Sequence, residues 1–546
     1  MLAATSALAQ QVPDAGSTLR QLEPPTVTLP RKPPPAVEVE PPARPVLQPA
    51  PTVRFTLKTF RVTGATVFAE SELQQLLQEY VGREVGILDL GEAVGRLTRF
   101  YFERGYPLAT AYLPVQDIKE GVVELVIIEG RFGNVQLLNR SRARDAVISA
   151  YFEDLPGRTV ENASLERKLL LVYDLPGVVP AKAVLHPGQA IGETDLRVEL
   201  ESARAIAGGL EVDNHGNRFT GGNRLSGQLD VFSPAGLGDR LSARATKGDP
   251  GLEYARIGYQ LPLGGDGFQL GAAYSRAEYR LGKDFAALGA SGEADTWLAF
   301  ASYPLLRSRR FSLYGRAGYE RKALQDRVGA TATVTDRRSE LATLSLAGDY
   351  FDALGAGAAS AFAVSYGGGN LRLETPAAKS IDDASARTGG SFHKWNLNYA
   401  RLQNLIEPVS AYVSFYAQKA GKNLDSSEKM ILGGAYGVRA YPQGEAPGDT
   451  GYLLNVEVRY ALSAGTLPGV LQLVGFIDTG EVKSNEEPFA PGANRRHLSG
   501  GGVGLNWGRV NDFSLRLALA HRIGNARATA GSDRQSRGWL QAIKYF

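Results

Sequence analysis

The sequence contains no cysteine, which excludes disulfide bonds and thiolate metal sites. Its five histidines stand singly, without the H-x-x-x-H or H-E-x-x-H spacing of metal-dependent enzymes, so we expect no metal site. Neither a phosphate-binding loop nor a G-x-S-x-G nucleophile motif occurs, and we expect neither a cofactor nor an enzymatic activity. The net charge of +3 over 546 residues gives no reason to expect a nucleic-acid partner.

Long hydrophobic runs are also missing. No stretch of about 18 apolar residues occurs, so the sequence predicts no transmembrane helix. Transmembrane β-strands escape this test because lipid-facing and lumen-facing residues alternate along them, and their hydropathies average out. The mean hydropathy of −0.17, with 63 glycines and 23 tyrosines, therefore remains compatible with a membrane barrel.

The first 53 residues divide into three short segments. Residues 1–9 resemble the end of a secretory signal with an Ala-Leu-Ala pattern, and an ordinary N-terminus is the alternative. Residues 10–23 carry an amphipathic pattern that predicts a short helix with Leu19 and Leu22 on one face. Residues 24–53 contain eleven prolines and predict an extended linker, with a proline-rich ligand motif as the alternative. A helix on a long linker can dock at a distant place.

Residues 54–130 and 131–204 repeat one order of elements, namely strand, helix, helix, strand, strand. In the first unit, "ESELQQLLQEYVG" and "LDLGEAVGRLTRFYFERGY" place leucines at helical spacing. We predict that Asp89 caps the second of these helices and that Gly105 ends it. In the second unit, "NASLERKLLLVYDL" predicts a helix, and "PAKAVLHPG" and "ETDLRVELES" predict strands. The two units indicate a tandem repeat of a small α+β domain.

The pattern changes over residues 205–546. Segments such as "LLNVEVRYAL" and "FSLRLALAHRI" alternate apolar and polar residues, as strands between lipid and water do. Lipid leaves no backbone group unpaired, so such a sheet must close into a barrel. About 16 antiparallel strands fit this length, and the last would run to the aromatic terminus at Phe546. A soluble β-sandwich or propeller is the alternative, but it explains the aromatic terminus and the inward arginines less well.

One arginine stands out within the Gly-rich stretch "GGAYGVRAYPQGEAPGDTGY", where Arg439 has apolar neighbours. In "VLQLVGFIDTGEV", alternation puts Phe476, Asp478 and Gly480 on one face and leucines on the other. With the leucines toward lipid, Asp478 faces the barrel lumen. A buried charge needs a partner, and an arginine–carboxylate pair is the strongest simple one. We therefore predict that Arg439 pairs with Asp478.

Ordered motifs over nearly the whole chain resemble the two-partner secretion transporters, the TpsB proteins of the FhaC, ShlB and HecB group in the BamA-like outer-membrane superfamily. The matching pieces are, in order, "PDAGSTLRQLE", the proline linker, "GYPLATAYLPVQDIKEGVVELVIIEG", "LPGVVPAKAVLHPGQAIGETDLRVEL", "YARLQNL", "NLDSSEKMILGGAYGVRAYP" and "GDTGYLLNVEVRY". The resemblance implies two periplasmic α+β POTRA repeats followed by an all-β transmembrane barrel of about 16 antiparallel strands in a Gram-negative outer membrane.

The resemblance also implies a site. In the family, a V-R-G-Y/F loop tip folds back into the barrel, and its arginine pairs with the aspartate of an inward F-x-D-x-G strand. The corresponding residues here are Val438, Arg439 and Tyr441 on the tip, and Phe476, Asp478 and Gly480 on the strand. Ala440 stands where glycine is usual, which would be costly at a positive φ. The N-terminal helix with Leu19 and Leu22 would be a plug. The pair would act either as a gating latch or as a brace.

By resemblance, the POTRA units capture an unfolded exoprotein of the TpsA type, and the barrel exports it without nucleotide. Its cargo would be a haemolysin, an adhesin, a contact-dependent toxin or a haem-binding protein. The segment "LLLVYDLPGVV" would help define the client groove through Leu169, Val172 and Leu175, with the domain core as the alternative place for Leu169, Leu171 and Val172. We expect a monomer that contacts outer-membrane lipid. A BamA-like insertase is the main alternative, and a porin or surface receptor is another; two repeats with a plug favour secretion.

Overall fold

The structure is a computed structural model that describes residues 12–22, 29–30, 37–39, 54–462, 465 and 467–546. The predicted signal remnant, residues 1–9, lies outside the described residues, and so does most of the predicted linker. Among the residues that the structure describes, no helix combines the length and the apolar composition needed to cross a bilayer.

The predicted N-terminal helix is present as α1 (Ala15–Leu22) and begins with reciprocal hydrogen bonds. Asp14 Oδ1 accepts from Ser17 N at 2.8 Å, and Ser17 Oγ accepts from Asp14 N at 3.0 Å. These bonds satisfy amide groups that the first helical turn leaves without partners. The first strand that the structure describes after α1 is β1 (Glu38–Val39).

The first α+β unit surrounds a mixed sheet in which β6 is central. Its elements are β2 (Phe55–Thr56), β3 (Thr59–Thr63), α2 (Glu70–Leu76), β4 (Glu84–Val85), α3 (Ile87–Glu103), β5 (Thr110–Tyr112) and β6 (Val122–Ile128). β6 pairs in parallel with β3 and antiparallel with β5, while β2 pairs with β4. The apolar stripe of α3 packs on this sheet and buries Leu90, Leu97 and Tyr101.

The predicted end of α3 is confirmed, but its predicted cap is wrong. Gly105 follows the helix with φ +91°, a conformation that favours glycine. The capping position is Gly86, and Asp89 is the third helical residue. The Asp89 carboxylate reaches back to accept a hydrogen bond from Gly86 N at 2.7 Å. The helix therefore begins one turn earlier, because a carboxylate in the first turn can satisfy the capping amide and is favoured by the helix dipole.

The second unit repeats the order of β3, α2, α3, β5 and β6. Its elements are β7 (Arg131–Asn139), α4 (Asp145–Ser149), α5 (Asn162–Tyr173), β8 (Val178–Pro187) and β9 (Glu193–Ser202). β8 and β9 are antiparallel, and β7 lies parallel to β9. β1 pairs in parallel with the other edge of β8, so the order of strands in the sheet is β1-β8-β9-β7.

The remainder of the described chain forms a closed barrel of 16 antiparallel strands, as predicted. Eleven strands precede its longest loop: β10 (Ile206–Asp213), β11 (Gly221–Phe232), β12 (Arg240–Pro250), β13 (Leu252–Leu263), β14 (Phe268–Arg280), β15 (Ala290–Arg307), β16 (Phe311–Val328), β17 (Thr333–Asp352), β18 (Ala358–Leu373), β19 (Gly390–Ile406) and β20 (Val409–Ala420). Five follow it: β23 (Thr450–Leu462), β24 (Val470–Lys483), β25 (Arg495–Arg509), β26 (Phe513–Ile523) and β27 (Ser536–Tyr545). The barrel closes where β27 pairs with β10.

The two faces of the barrel follow the predicted alternation. On β24, Ile477 is 60% exposed on the outer face, whereas its neighbour Asp478 is fully buried on the inner face. Leu473 is also exposed, and Phe476 is buried. Because successive side chains of a strand point to opposite faces, one wall carries an apolar outer belt and a polar, charged lumen.

The chain between β20 and β23, residues 421–449, turns back into the barrel, and we call it the inward loop. It contains the antiparallel pair β21 (Met430–Ile431) and β22 (Pro447–Gly448). Met430 and Tyr441 of this loop are buried in one apolar cluster with Phe476 of the wall. The connection between β18 and β19 carries α6 (Pro376–Ala384).

The second α+β unit is docked on one end of the barrel. Arg307, the last residue of β15, donates from Nε and Nη2 to the Asp174 carboxylate, both at 2.7 Å. Arg167 Nη2 also donates to the Pro304 carbonyl at 2.7 Å. Such two-point arginine–carboxylate bonds fix orientation as well as distance, so this unit has a defined position beneath the lumen.

Candidate functional site

Arg439 and Asp478 form a two-point ion pair inside the barrel. Arg439 Nε donates to Asp478 Oδ2 at 2.9 Å, and Nη2 donates to Oδ1 at 2.7 Å. The main-chain N–H of Arg439 also donates to Oδ2 at 3.0 Å. The structure therefore brings together the two residues that the sequence predicts as partners, and the carboxylate holds both the backbone and the side chain of the loop tip.

Two more wall residues complete this group, which we call the tip cluster (Arg439, Asp478, Glu457 and Asn455). Glu457 Oε1 accepts from Arg439 Nη1 at 2.8 Å, and Asn455 Nδ2 donates to Asp478 Oδ1 at 2.8 Å. Glu457 is also bonded by Arg459 Nη2, at 2.7 Å. Two arginines thus balance two carboxylates. Removing Arg439 or Asp478 would leave a buried charge without its partner, which costs about 3–5 kcal/mol.

Aromatic side chains enclose the tip cluster. The Arg439 guanidinium lies over the Phe476 ring, with Cζ 3.5 Å from the ring centre, which is a cation–π contact. Tyr441 is fully buried, and its hydroxyl donates to the Ala526 carbonyl at 3.0 Å. The wall therefore holds the arginine through carboxylates and through the Phe476 ring. The Tyr441 hydroxyl bonds the loop tip to the segment that follows β26.

Small residues allow the loop and the wall to approach closely. A Cβ added to Gly480 would lie 2.8 Å from Leu432 Cδ2 of the inward loop. Ala440 does not adopt a positive φ, so the cost expected from the missing glycine does not arise. Its methyl group faces Gly500, where an added Cβ would lie 2.5 Å from the Ala440 Cβ. Val438, on the other side of Arg439, is fully buried.

The tip also contacts the strand that closes the barrel. Trp539 Nε1 of β27 donates to the Arg439 carbonyl at 2.7 Å. Gln541 Nε2, two residues further, donates to the Tyr436 hydroxyl at 3.0 Å. The inward loop is thus bonded to β27 next to the β10–β27 closure.

A second ion cluster holds the first half of the inward loop, and we call it the shoulder cluster (Glu428, Lys322 and Lys394). Lys322 Nζ donates to Glu428 Oε1 at 3.0 Å, and Lys394 Nζ donates to Oε2 at 2.7 Å. Ser339 Oγ donates to Oε1 at 3.3 Å. All four residues are buried. One loop carboxylate therefore binds the side chains of three wall strands.

A third group, the Arg337 cluster, joins three parts of the molecule. Arg337 Nη2 donates to Asp326 of the wall at 2.5 Å and to Asp14, just before α1, at 3.1 Å. Its Nη1 donates to Asp425 of the inward loop at 2.5 Å. Asp14 also accepts from Ser426 Oγ at 2.6 Å. A single guanidinium thus bridges the wall, the loop and the N-terminal helix.

α1 lies in the lumen, between the inward loop and strands β14 to β16. Leu19 and Leu22 are buried in a cluster with Leu252, Tyr279 and Leu324 of the wall. The Ala15 amide donates to Asp326 Oδ1 at 2.8 Å. This is where a plug would have to lie.

The predicted client groove is not formed by the residues assigned to it. Leu169, Val172 and Leu175 are 3%, 0% and 3% exposed and belong to the core of the second α+β unit. Leu169 and Val172 on α5 and Leu175 just after it pack into this core, where burial of their apolar side chains is stabilising. The groove assignment is therefore wrong for these three residues, and the core alternative is correct for Leu169, Leu171 and Val172.

Sequence patterns contain no short motif for the shoulder cluster or the Arg337 cluster. Their partners are far apart along the chain, as Lys322 and Glu428 are. One signal exists: Lys322 and Arg337 fall at inward-facing positions of β16 and β17, where an unpaired cation is costly. That signal predicts that each has a partner, but not which one.

The site is built from ion pairs and hydrogen bonds that join the inward loop and α1 to the barrel wall. In the described part of the chain, no group of three or more His, Asp or Glu side chains is placed to hold a metal ion. The lumen contacts are ion pairs and hydrogen bonds between elements that are distant in sequence. Such contacts can be exchanged for contacts with water when an element moves.

A closed barrel with a helix in its lumen, a loop folded back onto the wall and α+β units beneath it defines an outer-membrane barrel of the polypeptide-transporting class. Residues 192–507 match the family model described as haemolysin secretion/activation protein ShlB/FhaC/HecB, and residues 55–130 match the POTRA domain of ShlB type. The first match spans more than half of the chain, which therefore belongs to this family of two-partner secretion transporters.

Relatives and solved structures agree with this assignment. The haem/haemopexin transporter protein HuxB of Haemophilus influenzae is 28% identical over 99% of this chain and 96% of its own length. The outer-membrane transporter CdiB of Dickeya dadantii is 24% identical over 89% of this chain and 84% of its own. The structure of CdiB from Escherichia coli matches with a TM-score of 0.75 at 20% identity, covering 93% of both chains, a likeness of fold.

The chain is thus an outer-membrane transporter that exports a secreted exoprotein of the TpsA type. Its barrel spans the outer membrane, and its POTRA domains lie in the periplasm.

Proposed function

We propose that the exoprotein passes through the barrel lumen as an unfolded chain, without nucleotide, and that the described structure is the closed form. The observation that carries this proposal is the position of Arg337, which bonds α1, the inward loop and the wall at once. A client cannot share the lumen with both elements. Export therefore requires α1 to leave and the inward loop to shift.

The bonds that close the lumen suit a reversible gate. Three carboxylates surround Arg337, so α1 can withdraw Asp14 and leave the guanidinium paired with Asp326 and Asp425. The released Asp14 is rehydrated, and the net cost of such an exchange is small because water replaces each lost hydrogen bond. Folding of the client outside the cell supplies the free energy of export.

In this proposal the tip cluster and the Arg337 cluster have different roles. In the tip cluster the Arg439 side chain bonds to carboxylates of the barrel wall, and breaking these bonds leaves buried charges. We assign it the role of a brace that fixes the inward loop during folding and rest. The Arg337 cluster includes the helix that must move, and we assign it the role of the latch.

Client capture belongs to the POTRA domains. A small α+β domain with an exposed sheet edge can add an extended client segment as a further strand. In the same proposal the transporter is a monomer, contacts lipid through the apolar outer belt, binds no nucleic acid or cofactor and has no enzymatic activity. The exposed side chains of Leu473, Ile477, Val503 and Leu519 support the lipid contact.

The proposal is tested with Arg337→Ala in the native host. We compare the secreted proteins of wild-type, deletion and variant cells by mass spectrometry. The exoprotein is the large protein that the deletion strain fails to secrete. In planar bilayers the variant should show more frequent open events than wild type, since α1 loses its ionic anchor. A closed-state occupancy equal to that of wild type would contradict the latch.

A further inference from the structure

The outer face of β17 changes from apolar to charged before the strand reaches its extracellular end. β17 ends at Asp352, near the turn between β15 and β16 on which the second α+β unit is docked, so its first residues lie on the extracellular side. Leu344 and Ala342 are exposed on the outer face. Arg337 bonds inside the lumen, and its neighbour Arg338 therefore points outward. Arg338 lies beyond Ala342 by about 13 Å along the strand, above the apolar outer belt.

Arg338 lies directly opposite another arginine. It is the register partner of Arg372 on β18, so both side chains stand on the outer face. Like charges in this position destabilise a strand pair unless an anion balances them. Arg338 Nη2 has one carboxylate, that of Glu374, at 2.9 Å. In the part of the chain that the structure describes, Arg338 Nε is buried without a hydrogen-bond partner, and the exposed Arg372 has no ion pair.

A third arginine of the same row has its anions within the protein. Register partners join Arg276 of β14 through Asp295 and Ala323 to Arg338, so these residues form one row across the outer face. Arg276 forms ion pairs with three carboxylates, those of Glu278, Glu293 and Asp295. Arg338 and Arg372 share the single carboxylate described above. The row is therefore saturated with carboxylates at one end and short of an anion at the other.

The surroundings leave the two facing arginines with an excess positive charge and with room for a ligand. Glu340, the next outward residue of β17, is the register partner of Arg321, and these opposite charges offset each other. Glu374 offsets one of the two facing arginines. Closer to the belt on the same face of β18, a Cβ added to Gly368 would meet no atom of the described chain within 4 Å. One positive charge is thus unbalanced beside an open part of the outer face.

We propose that Arg338 and Arg372 bind a phosphate group of lipid A, the phosphorylated and acylated disaccharide of the outer leaflet. Guanidinium groups suit this ligand because they bind phosphate through parallel N–H···O bonds. The occupant is a lipid and not a free phosphate, because exposed apolar side chains continue toward the membrane from the arginines, namely Leu344, Val364 and Tyr366. The acyl chains lie on this surface when the phosphate is bound. The inference rests on the proposed contact between the apolar outer belt and lipid.

The test is native mass spectrometry of the full-length protein in detergent, which gives the fraction that carries lipid A at each lipid concentration. Arg372→Gln should weaken binding about ten-fold, and Arg338→Gln with Arg372→Gln about a hundred-fold, because each charge-assisted hydrogen bond changes affinity by about ten-fold or more. Arg372→Lys keeps the charge and should retain most of the affinity. The matched control is Arg276→Gln, which removes the same charge from the same row at a side chain that already has its anions. All variants should keep the heat-modifiable band of the folded barrel, since these side chains stand on its outer surface.

The choice of probes identifies the chemistry of the ligand. They are diphosphoryl lipid A, dephosphorylated lipid A, phosphatidylglycerol and inorganic phosphate, each added to the same wild-type protein. We expect diphosphoryl lipid A to bind tightest and to raise the temperature at which the heat-modifiable band is lost. Dephosphorylated lipid A should bind about ten-fold more weakly or worse, because it lacks the group that the arginines hold.

The outcomes separate this inference from the proposed function. Equal binding of lipid A by wild type, the double variant and Arg276→Gln would overturn the phosphate site. Equally tight binding of dephosphorylated lipid A would mean that the acyl chains alone are bound, and would overturn it too. If phosphatidylglycerol or inorganic phosphate binds as tightly as lipid A, the assignment to the glycolipid is wrong. If the wild-type barrel does not enter lipid vesicles, the failure lies with the proposed lipid contact.

Discussion

The methyl group of Ala440 lies directly against Gly500 of β25, and an added Cβ on that glycine would come within 2.5 Å of it. The contact joins the tip of the inward loop to the wall next to Asp478, the register partner of Gly500. Because Ala440 has an ordinary backbone conformation, its methyl costs no strain and fills the space that Gly500 leaves. Loop and wall are therefore matched in size at this position.

This match predicts a size-swap effect. Gly500→Ala should displace the loop tip, because two methyl carbons cannot approach to 2.5 Å, and overpacking of this kind costs about 1–3 kcal/mol. Gly500→Ala with Ala440→Gly should recover most of the loss. The measurement is the temperature at which the folded barrel loses its heat-modifiable band on a gel.

The control for the size swap lies on the neighbouring strand. Gly475 of β24 has open space around an added Cβ, so Gly475→Ala should leave the barrel unchanged. Equal destabilisation by Gly475→Ala and Gly500→Ala would mean that glycine content alone matters, and that the loop contact does not.

Arg439→Ala and Asp478→Ala should each lower the stability of the folded barrel by about 3–5 kcal/mol and reduce export, since each leaves a buried charge without its partner. The exchange Arg439→Asp with Asp478→Arg should restore only part of the loss. In that exchange the carboxylate placed at position 439 would face Glu457, and only the pair with position 478 is rebuilt. Secreted exoprotein and heat-modifiable folding are measured together.

The matched control for the tip cluster is the exposed pair Lys247–Glu253, at 3.0 Å. Lys247→Ala should have no measurable effect, because exposed ion pairs contribute little. If Arg439→Ala reduced export with the barrel fully stable, the tip cluster would be a gate and not a brace.

The fold and half of the site could be predicted because they depend on local patterns. Period-2 alternation assigned Asp478 to the lumen, and Arg439 stood among apolar neighbours in the preceding loop. The second partner, Glu457, was missed although it faces the lumen by the same alternation. An arginine has more N–H donors than one carboxylate can accept. Pairing rules alone therefore do not predict how many carboxylates it binds.

Long-range partners and helix starts were beyond the sequence patterns. Arg337 meets Asp14 and Asp425 only because α1 and the inward loop share the lumen. Asp89 shows that the start of a helix can be ambiguous even within a few residues of sequence. An aspartate suits both the capping position and the third helical position, and in α3 the capping position is taken by Gly86, three residues before Asp89.

Deletion of residues 10–23 should raise the conductance of single channels in bilayers, because α1 fills the lumen between β14, β15 and the inward loop. Asp14→Ala should act in the same direction with a smaller effect, through loss of the bond to Arg337. The control is Val12→Ala, since Val12 is 46% exposed and precedes the helix. Conductance unchanged by the deletion would show that α1 is not a plug.

The first POTRA domain should lose stability in acid through Glu129. Burial would raise the pKa of this carboxyl, but hydrogen bonds from the Thr66 hydroxyl and from the amides of Val67 and Thr66 hold the pKa below its usual range. The depressed pKa stabilises the fold above the pKa of the unfolded chain, about 4.3, and this stabilisation is lost as the pH falls below that value.

Glu129→Gln should therefore destabilise the domain by about 1–3 kcal/mol at neutral pH and flatten the acid transition. Hydrogen exchange of β6 in the full-length protein measures both effects. Glu103→Gln, at an exposed carboxyl, serves as the control. An unchanged acid transition in Glu129→Gln would assign the loss to another group.

A substitution of Leu169 distinguishes a core role from a groove role in the second α+β unit. Because its side chain is 3% exposed within the core, Leu169→Ala should leave a cavity and destabilise the domain by about 2–5 kcal/mol. Ile191→Ala, at a side chain that is 93% exposed, should leave stability unchanged. Proteolysis of the full-length protein reports the difference as earlier cleavage within residues 131–204. A groove residue would behave in the opposite way: Leu169→Ala would leave the domain intact and weaken only the capture of the client.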